Sequence, residues 1–124
     1  MASLLIWAFV VYYLLTGLYI AVLPQDFYLN APGVQATGPY NMHFIRDVGF
    51  AFLTSSAAIG YGIYSGIKPV MMFGALWLLI HGLFHLTLWM VHGMQLDSAA
   101  MIDLALVSIP AAAIFTLCAR YRVS

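Results

Sequence analysis

The sequence predicts an all-α fold, a four-helix transmembrane bundle, and its composition and apolar runs carry this prediction. Of the 124 residues, 65% are hydrophobic and only 6% are charged, whereas a soluble domain carries about 25% charged residues. A chain of this length has a high surface-to-volume ratio and cannot hide so much apolar surface in a core. Four apolar segments are also long enough to span about 30 Å of hydrocarbon. We therefore expect a single membrane domain, 1–124, whose outer faces contact the lipid bilayer.

The four predicted helices are long apolar runs separated by proline, glycine and polar residues. They cover about residues 4–23, 42–65, 69–93 and 98–119. Pro24 ends the first helix, and Asn41 is a suitable N-cap for the second. Pro69 suits the first turn of the third helix, and Pro110 predicts a kink in the fourth. The first segment is expected to be retained, because it lacks the basic n-region and the cleavage site of a signal peptide.

Small residues predict close packing of the second and fourth helices. The second helix is rich in small residues, Gly49 among them, and Ser56 and Gly60 are spaced four apart, as are Ala58 and Gly62. The fourth helix has Ser108 and the alanines at 111–113. Such small-xxx-small spacings let helices approach closely in membranes. The residues at 24–41, which include three prolines and two glycines, are predicted to form the one long loop.

Basic residues predict the orientation. Lys68 lies in the turn between the second and third helices, and Arg120 and Arg122 follow the fourth. In a four-helix protein these positions share one side with the N-terminus, and the positive-inside rule places that side in the cytoplasm. The predicted location is therefore the bacterial inner (cytoplasmic) membrane, multi-pass, with both termini cytoplasmic. The long loop and the turn at 94–97 then face outward.

Several function classes lack support in the composition. The net charge is zero, with four basic and four acidic residues, so we expect no nucleic acid partner. The single Cys118 excludes an intrachain disulfide and a cysteine-rich metal site. No serine lies in a nucleophile motif, and no catalytic residue is predicted. A proton relay needs titratable groups across the bilayer, but the sequence beyond His81 toward the cytoplasmic side holds almost none.

Histidines on one face of the third helix are the strongest functional signal. His81, His85 and His92 return to nearly the same direction at about 100° per residue. Titratable groups are costly in hydrocarbon, so they usually face a bundle interior and often mark function. His43, at the start of the second helix, is the fourth histidine of the chain.

Three kinds of ligand fit these histidines. A haem would take two histidines from facing helices, such as His43 with His85 or His92. A metal ion could take His43, Asp47, His92 and Asp103 near the outer surface, or His81 and His85 from adjacent turns. A quinone could bind where one histidine and one charged residue meet an apolar, aromatic pocket.

The competing interpretation is a structural polar network made of Arg46, Asp47, Asp103 and His81. Buried charges need partners, and such networks fix the register of helices in lipid. In this interpretation Arg46 pairs with Asp47 or Asp103, and the histidines bond to the backbone or to one another.

The block at 38–49, Gly-Pro-Tyr-Asn-Met-His-Phe-Ile-Arg-Asp-Val-Gly, resembles a signature of small bacterial four-helix membrane proteins that group loosely with DoxX-like proteins. The His-Gly-Leu-Phe-His run at 81–85 is similar to a lesser degree. The resemblance implies a four-helix bundle and a loose link to membrane redox systems. It implies no catalytic residues.

Two functional hypotheses follow. In the first, the chain is a non-catalytic accessory subunit of a larger inner-membrane complex, such as an oxidoreductase or energy-conserving assembly, and binds other membrane subunits. The small size and the incomplete catalytic motifs favour it. In the second, the chain is a self-contained redox or ligand-binding protein that uses an outward-facing His/Asp/Arg cluster. A stoichiometric haem, metal or quinone in the isolated chain would favour the second hypothesis.

Overall fold

The fold is all-helical, and the computed structural model describes residues 1–91 and 93–122. Within these residues there is no strand. We number the helices α1, Ala2–Val22; α2, Pro24–Asn30; α3, Met42–Ser65; α4, Lys68–Val91; and α5, Ser98–Arg120. The helix predicted at 42–65 has the same bounds as α3. The helix predicted at 69–93 corresponds to α4, whose described residues run from Lys68 to Val91, and Gly93 lies in a turn.

Three of the described helices, α1, α4 and α5, are long and apolar enough to cross a membrane. Helix α3 has 24 residues and would also be long enough, but its glycines, serines and alanines make it less apolar. It is the central helix, because it packs along α1 on one side and along α4 on the other. The architecture is therefore a helical bundle with three helices compatible with a membrane and a fourth, small-residue helix between two of them.

Helices α1 and α3 approach most closely where two glycines meet. A Cβ atom on Gly17 would lie 2.9 Å from the carbonyl oxygen of Gly49, and a Cβ atom on Gly49 would lie 2.8 Å from the backbone nitrogen of Ala21. Only glycine fits at either position without a backbone shift. Gly49 lies among the small residues of the second helix that predicted close packing, whereas Gly17 on α1 was not part of that prediction.

Helices α4 and α5 are joined by packing and by a hydrogen bond. The Ser108 hydroxyl donates to the Gly82 carbonyl oxygen at 3.1 Å, and Ala111 packs against the same glycine. Ile114 and Cys118 continue this buried face of α5. The close packing predicted from Ser108 and the alanines of the fourth helix is therefore present.

The ends of α3, α4 and α5 meet on one side of the bundle. The Lys68 ammonium donates to the Ala119 carbonyl oxygen at 2.7 Å and to the Tyr121 carbonyl oxygen at 3.0 Å. These carbonyls lie at the C-terminal end of α5, where a cation also complements the helix dipole. Lys68, Arg120 and Arg122 thus lie at the same end of the molecule.

Helix α5 is irregular in its middle. Its residues Leu104–Ser108 form a π-helical turn, and Pro110 follows two residues later. The sequence predicted a kink at Pro110; the change of helix type lies just before it, where the α-helix resumes at Ile109. The Tyr12 hydroxyl of α1 donates to the Leu106 carbonyl oxygen in this turn at 2.6 Å.

The connection at 24–41 is not the plain loop that its prolines and glycines predicted. It holds the short helix α2 and a 3₁₀ turn at Val34–Thr37. Pro24 occupies the first turn of α2, where its missing N–H costs nothing. The Tyr28 hydroxyl donates to the Gly38 carbonyl oxygen at 3.0 Å and closes the segment on itself. The predicted N-cap is confirmed, because the Asn41 side chain accepts from the Phe44 amide at 3.1 Å.

Candidate functional site

An aromatic ladder runs along one face of α4. Trp77 stacks on His81 with ring centroids 5.1 Å apart and an interplanar angle of 11°. His81 meets His85 edge to face at 4.7 Å. The three residues are spaced four apart, so a helix brings them to one face in successive turns. The predicted alignment of His81 with His85 is confirmed.

Asp103 of α5 faces the ladder and binds its last member. Its carboxylate oxygen Oδ2 lies 3.0 Å from Nδ1 of His85. The side chain of His85 is 23% exposed and that of Asp103 is 39% exposed, so the pair is half-buried. We call His81, His85 and Asp103 the histidine–aspartate site.

Two aromatic side chains from other helices pack behind this site, one against His81 and one against the first. Phe52 of α3 is buried and meets His81 edge to face at 5.3 Å and Trp77 at 5.1 Å. Tyr13 of α1 stacks on Phe52 at 5.8 Å. The Tyr13 hydroxyl is buried and has no hydrogen-bond partner within the described part of the chain. The site therefore draws on α1, α3, α4 and α5.

The contact with Asp103 determines which ring nitrogen of His85 is available to a ligand. With Nδ1–H donating to the carboxylate, the other ring nitrogen, Nε2, is left for a ligand. The neutral ring accepts a hydrogen bond or coordinates a metal through Nε2, and the protonated ring donates through it. A carboxylate partner fixes the tautomer and the orientation of the ring, as it does in many metal sites.

The predicted outer metal set is divided in the structure. His43 pairs with Asp47 on α3, with Nε2 and Oδ2 3.4 Å apart, and their side chains are 90% and 56% exposed. Asp103 pairs instead with His85. Among the described residues no group of three or more histidine, cysteine, aspartate or glutamate side chains is arranged to hold a metal ion. His92, predicted as a haem or metal ligand, lies outside the described residues.

Arg46 does not make the ion pair that the structural network predicted. Its Nε donates to the carbonyl oxygen of Ala21 at the end of α1, at 3.1 Å. Its two predicted partners, Asp47 and Asp103, each pair with a histidine. The last carbonyls of any helix have no intrahelical partners. Arg46 therefore supplies a donor to one of the carbonyls at the end of α1.

All three residues of the histidine–aspartate site were candidates from the sequence, but Asp103 was expected to pair with Arg46 or to bind a metal ion. Nothing in the linear sequence shows that Asp103 faces His85, because the partner lies on the next helix. The contact of Tyr13 with Phe52 was also missed. The one available signal was the position of Tyr13 on a helix that offers few other polar groups.

The chain matches no protein-family model, no curated protein and no solved structure. The resemblance to DoxX-like proteins therefore stays a prediction.

Proposed function

We propose that this chain is an integral protein of the bacterial inner membrane in which α1, α3, α4 and α5 cross the bilayer, with both termini cytoplasmic. The cluster of Lys68, Arg120 and Arg122 at one end supports this orientation, because basic residues favour the cytoplasmic side. Helix α3 is less apolar than the others, but it is covered by α1 and α4 on two sides. Its small residues suit an interior helix better than a lipid-facing one.

We further propose that the protein binds a lipid-soluble, hydrogen-bonding redox ligand of the quinone class at the histidine–aspartate site. The observation that carries this proposal is the 3.0 Å contact between His85 Nδ1 and Asp103 Oδ2 on two apolar helices. Titratable groups at such positions are functional hypotheses by default, because their burial in lipid is costly. The side chain of His85 is 23% exposed, so the packing of the bundle does not enclose the ring completely.

A quinone fits the hydrogen-bonding capacity of His85. A protonated His85, held beside the Asp103 carboxylate, donates through Nε2 to a quinone carbonyl oxygen. A neutral His85 accepts through the same nitrogen from the hydroxyl of a quinol. The exposed ring of Phe84, which meets His85 edge to face at 6.1 Å, supplies an apolar surface beside a flat head group.

Metal and haem are less well supported by the described side chains. The absence of a three-ligand group among residues 1–91 and 93–122 weighs against a protein-held metal ion. Bis-histidine haem needs two histidines on facing helices. The two that contact each other, His81 and His85, are on one helix, and His43 pairs with its own neighbour Asp47.

The test is a titration of the purified chain in nanodiscs with a short-chain ubiquinone or menaquinone analogue. Quenching of tryptophan fluorescence reports binding, since Trp77 stacks on His81. We expect His85→Gln to raise the dissociation constant about tenfold, the loss that follows from one hydrogen bond of about 1.4 kcal/mol. His43→Gln is the matched control, because it removes an exposed histidine outside the site.

Equal affinities in the parent chain and His85→Gln would exclude His85 as the binding group. Equal losses in His85→Gln and His43→Gln would indicate a general effect of histidine removal. Asp103→Asn should give an intermediate loss, because an asparagine oxygen still accepts from Nδ1–H but carries no charge.

The second proposal is that the chain works as an accessory subunit of a larger inner-membrane complex, such as an oxidoreductase or energy-conserving assembly. The outer faces favour it, because large aromatic side chains such as Tyr64, Phe73 and Phe84 are exposed on them. Purification in mild detergent with mass spectrometry of co-migrating proteins tests it. Stoichiometric partner polypeptides would support the subunit role, and a chain that is monodisperse and folded on its own would count against it.

A further inference from the structure

A cleft of about 480 Å³ lies at the opposite end of the bundle from Lys68, between the end of α1, helix α2 and the start of α3. Its apolar wall includes Val22, Leu23, Leu29 and Met42. These side chains are exposed in the isolated chain. Because α1, a candidate membrane span, ends at Val22, the cleft lies at the boundary where a bilayer would end.

Two side chains of opposite charge line this cleft without pairing with each other. Arg46 is held by its Nε–H bond to the Ala21 carbonyl oxygen. No carboxylate of the described residues lies within 4.0 Å of its guanidinium nitrogens. The terminal nitrogens of the guanidinium are thus left without an anionic partner. Guanidinium groups bind phosphate well, because their planar N–H fork matches two phosphate oxygens.

Asp26 supplies the negative charge in the same cleft. Its Oδ2 accepts from the Tyr19 hydroxyl at 2.5 Å, and its Oδ1 accepts from the Asn30 amide at 2.9 Å. These two neutral donors orient the carboxylate but leave its charge uncompensated. A cation that enters the cleft would find this acceptor already in position.

We propose that the cleft binds the head group of a zwitterionic phospholipid that carries a primary ammonium, with its phosphate on Arg46 and its ammonium on Asp26. The charge complementarity carries the assignment, since a head group of this class presents both charges in one molecule. The apolar wall then contacts the glycerol and upper acyl region. This site is separate from the histidine–aspartate site and does not depend on a quinone.

The test measures lipid binding to the detergent-purified chain by native mass spectrometry with added phosphatidylethanolamine or phosphatidylglycerol. We expect tighter binding of phosphatidylethanolamine. Arg46→Gln should weaken binding of both lipids about tenfold, the effect of a lost charge-assisted hydrogen bond. Arg120→Gln, at the other end of the chain and exposed, is the matched control and should change neither affinity.

Asp26→Asn tests the second half of the proposal and is independent of Arg46. It should remove the preference for phosphatidylethanolamine, so that the ratio of the two affinities falls to about one. Asp47→Asn is its control, because it removes an exposed carboxylate beside Arg46 that does not line the cleft. A preference retained in Asp26→Asn would overturn the assignment even if Arg46→Gln failed to fold.

Two further outcomes would also overturn the proposal. Unchanged lipid binding in a folded Arg46→Gln variant would remove the phosphate contact. Displacement of bound lipid by millimolar inorganic phosphate would show a simple anion site, whereas retention of the lipid supports recognition of the whole head group.

Discussion

The Tyr12 hydroxyl donates to the carbonyl oxygen of Leu106, to which Pro110 can offer no α-helical N–H. Tyr12 lies on α1 and donates to Leu106 on α5 at 2.6 Å. Pro110 is four residues beyond Leu106 and has no N–H, so the usual helical bond to that carbonyl is missing. A side chain from the first helix therefore satisfies the backbone of the last.

We predict that Tyr12→Phe lowers the free energy of unfolding by about 1 kcal/mol, the usual net contribution of one hydrogen bond. The change removes only the hydroxyl and keeps the ring. Unfolding in mixed detergent micelles measures the effect. Tyr64→Phe is the control, because Tyr64 is 85% exposed, and it should leave stability unchanged.

Pro110→Ala should make the Tyr12 hydroxyl dispensable. Alanine restores an N–H at position 110, which can bond to the Leu106 carbonyl within a regular helix. In the Pro110→Ala background, we expect Tyr12→Phe to change the free energy of unfolding by less than about 0.5 kcal/mol. The double-mutant cycle isolates this coupling. Additive effects of the two substitutions would contradict a shared role at Leu106.

The contact with Asp103 should fix the tautomer of His85. Because Oδ2 lies 3.0 Å from Nδ1, the proton of the neutral ring belongs on Nδ1. Nitrogen NMR of a ¹⁵N-histidine-labelled sample, assigned with His85→Gln, reports the tautomer. We expect the Nδ1–H form in the parent chain and a shift toward the Nε2–H form in Asp103→Leu. An Nε2–H majority in both would show that the carboxylate does not orient the ring.

The crossing of α1 and α3 predicts a difference between two glycines of the same helix. A Cβ atom on Gly49 would lie 2.8 Å from the Ala21 backbone nitrogen, so Gly49→Ala should destabilise the bundle by about 1–3 kcal/mol. A Cβ atom on Gly60 would meet the Trp7 ring at 3.4 Å, which is close to an ordinary contact. Gly60→Ala should therefore change stability by less than about 1 kcal/mol. Equal effects in unfolding titrations would contradict the close approach at Gly49.

Arg46→Ala should have a moderate effect on stability. The sequence predicted a pair with an acid, whose loss from a buried site costs about 3–5 kcal/mol. The structure gives Arg46 a backbone carbonyl of α1 as its partner, so no acid is left unpaired. We expect a loss of about 1–2 kcal/mol, comparable with one charged hydrogen bond. A loss above 3 kcal/mol would indicate that a carboxylate depends on Arg46 after all.

The helices could be predicted because each depends on residues close together in sequence. The length of the apolar segments predicted the long helices. Pro24 predicted the end of α1, and Asn41 predicted the start of α3. The π-helical turn could not be predicted, because it depends on how α5 meets α1 and α4. Helix α2 was missed because seven residues between prolines and glycines carry little apolar periodicity of their own.

Only the part of the site that depends on local sequence could be predicted. The fourfold spacing of His81 and His85 on one helix is a local property, and it is enough to place their rings together. The choice of Asp103 as the partner of His85, and of Ala21 as the partner of Arg46, depends on the rotation of one helix relative to another. The sequence offers several acidic residues as partners for Arg46 and for the histidines. Only the packing of the helices determines which side chains are in contact.

The π-helical turn at Leu104–Ser108 also sets the angular phase of α5. Each residue of an α-helix advances the side-chain direction by about 100°, and a π turn accommodates one residue more than α-helical spacing allows. The half of α5 that carries Asp103 is thus rotated relative to the half that packs on Gly82 through Ser108 and Ala111. Deletion of a single residue from this turn would let a regular α-helix form with both faces kept, whereas regular α-helical spacing at the present length would swing Asp103 by about 100° relative to the far half. The number of residues between Asp103 and the face of α5 that packs on Gly82 therefore decides whether the carboxylate reaches His85. The identity of the two side chains alone does not.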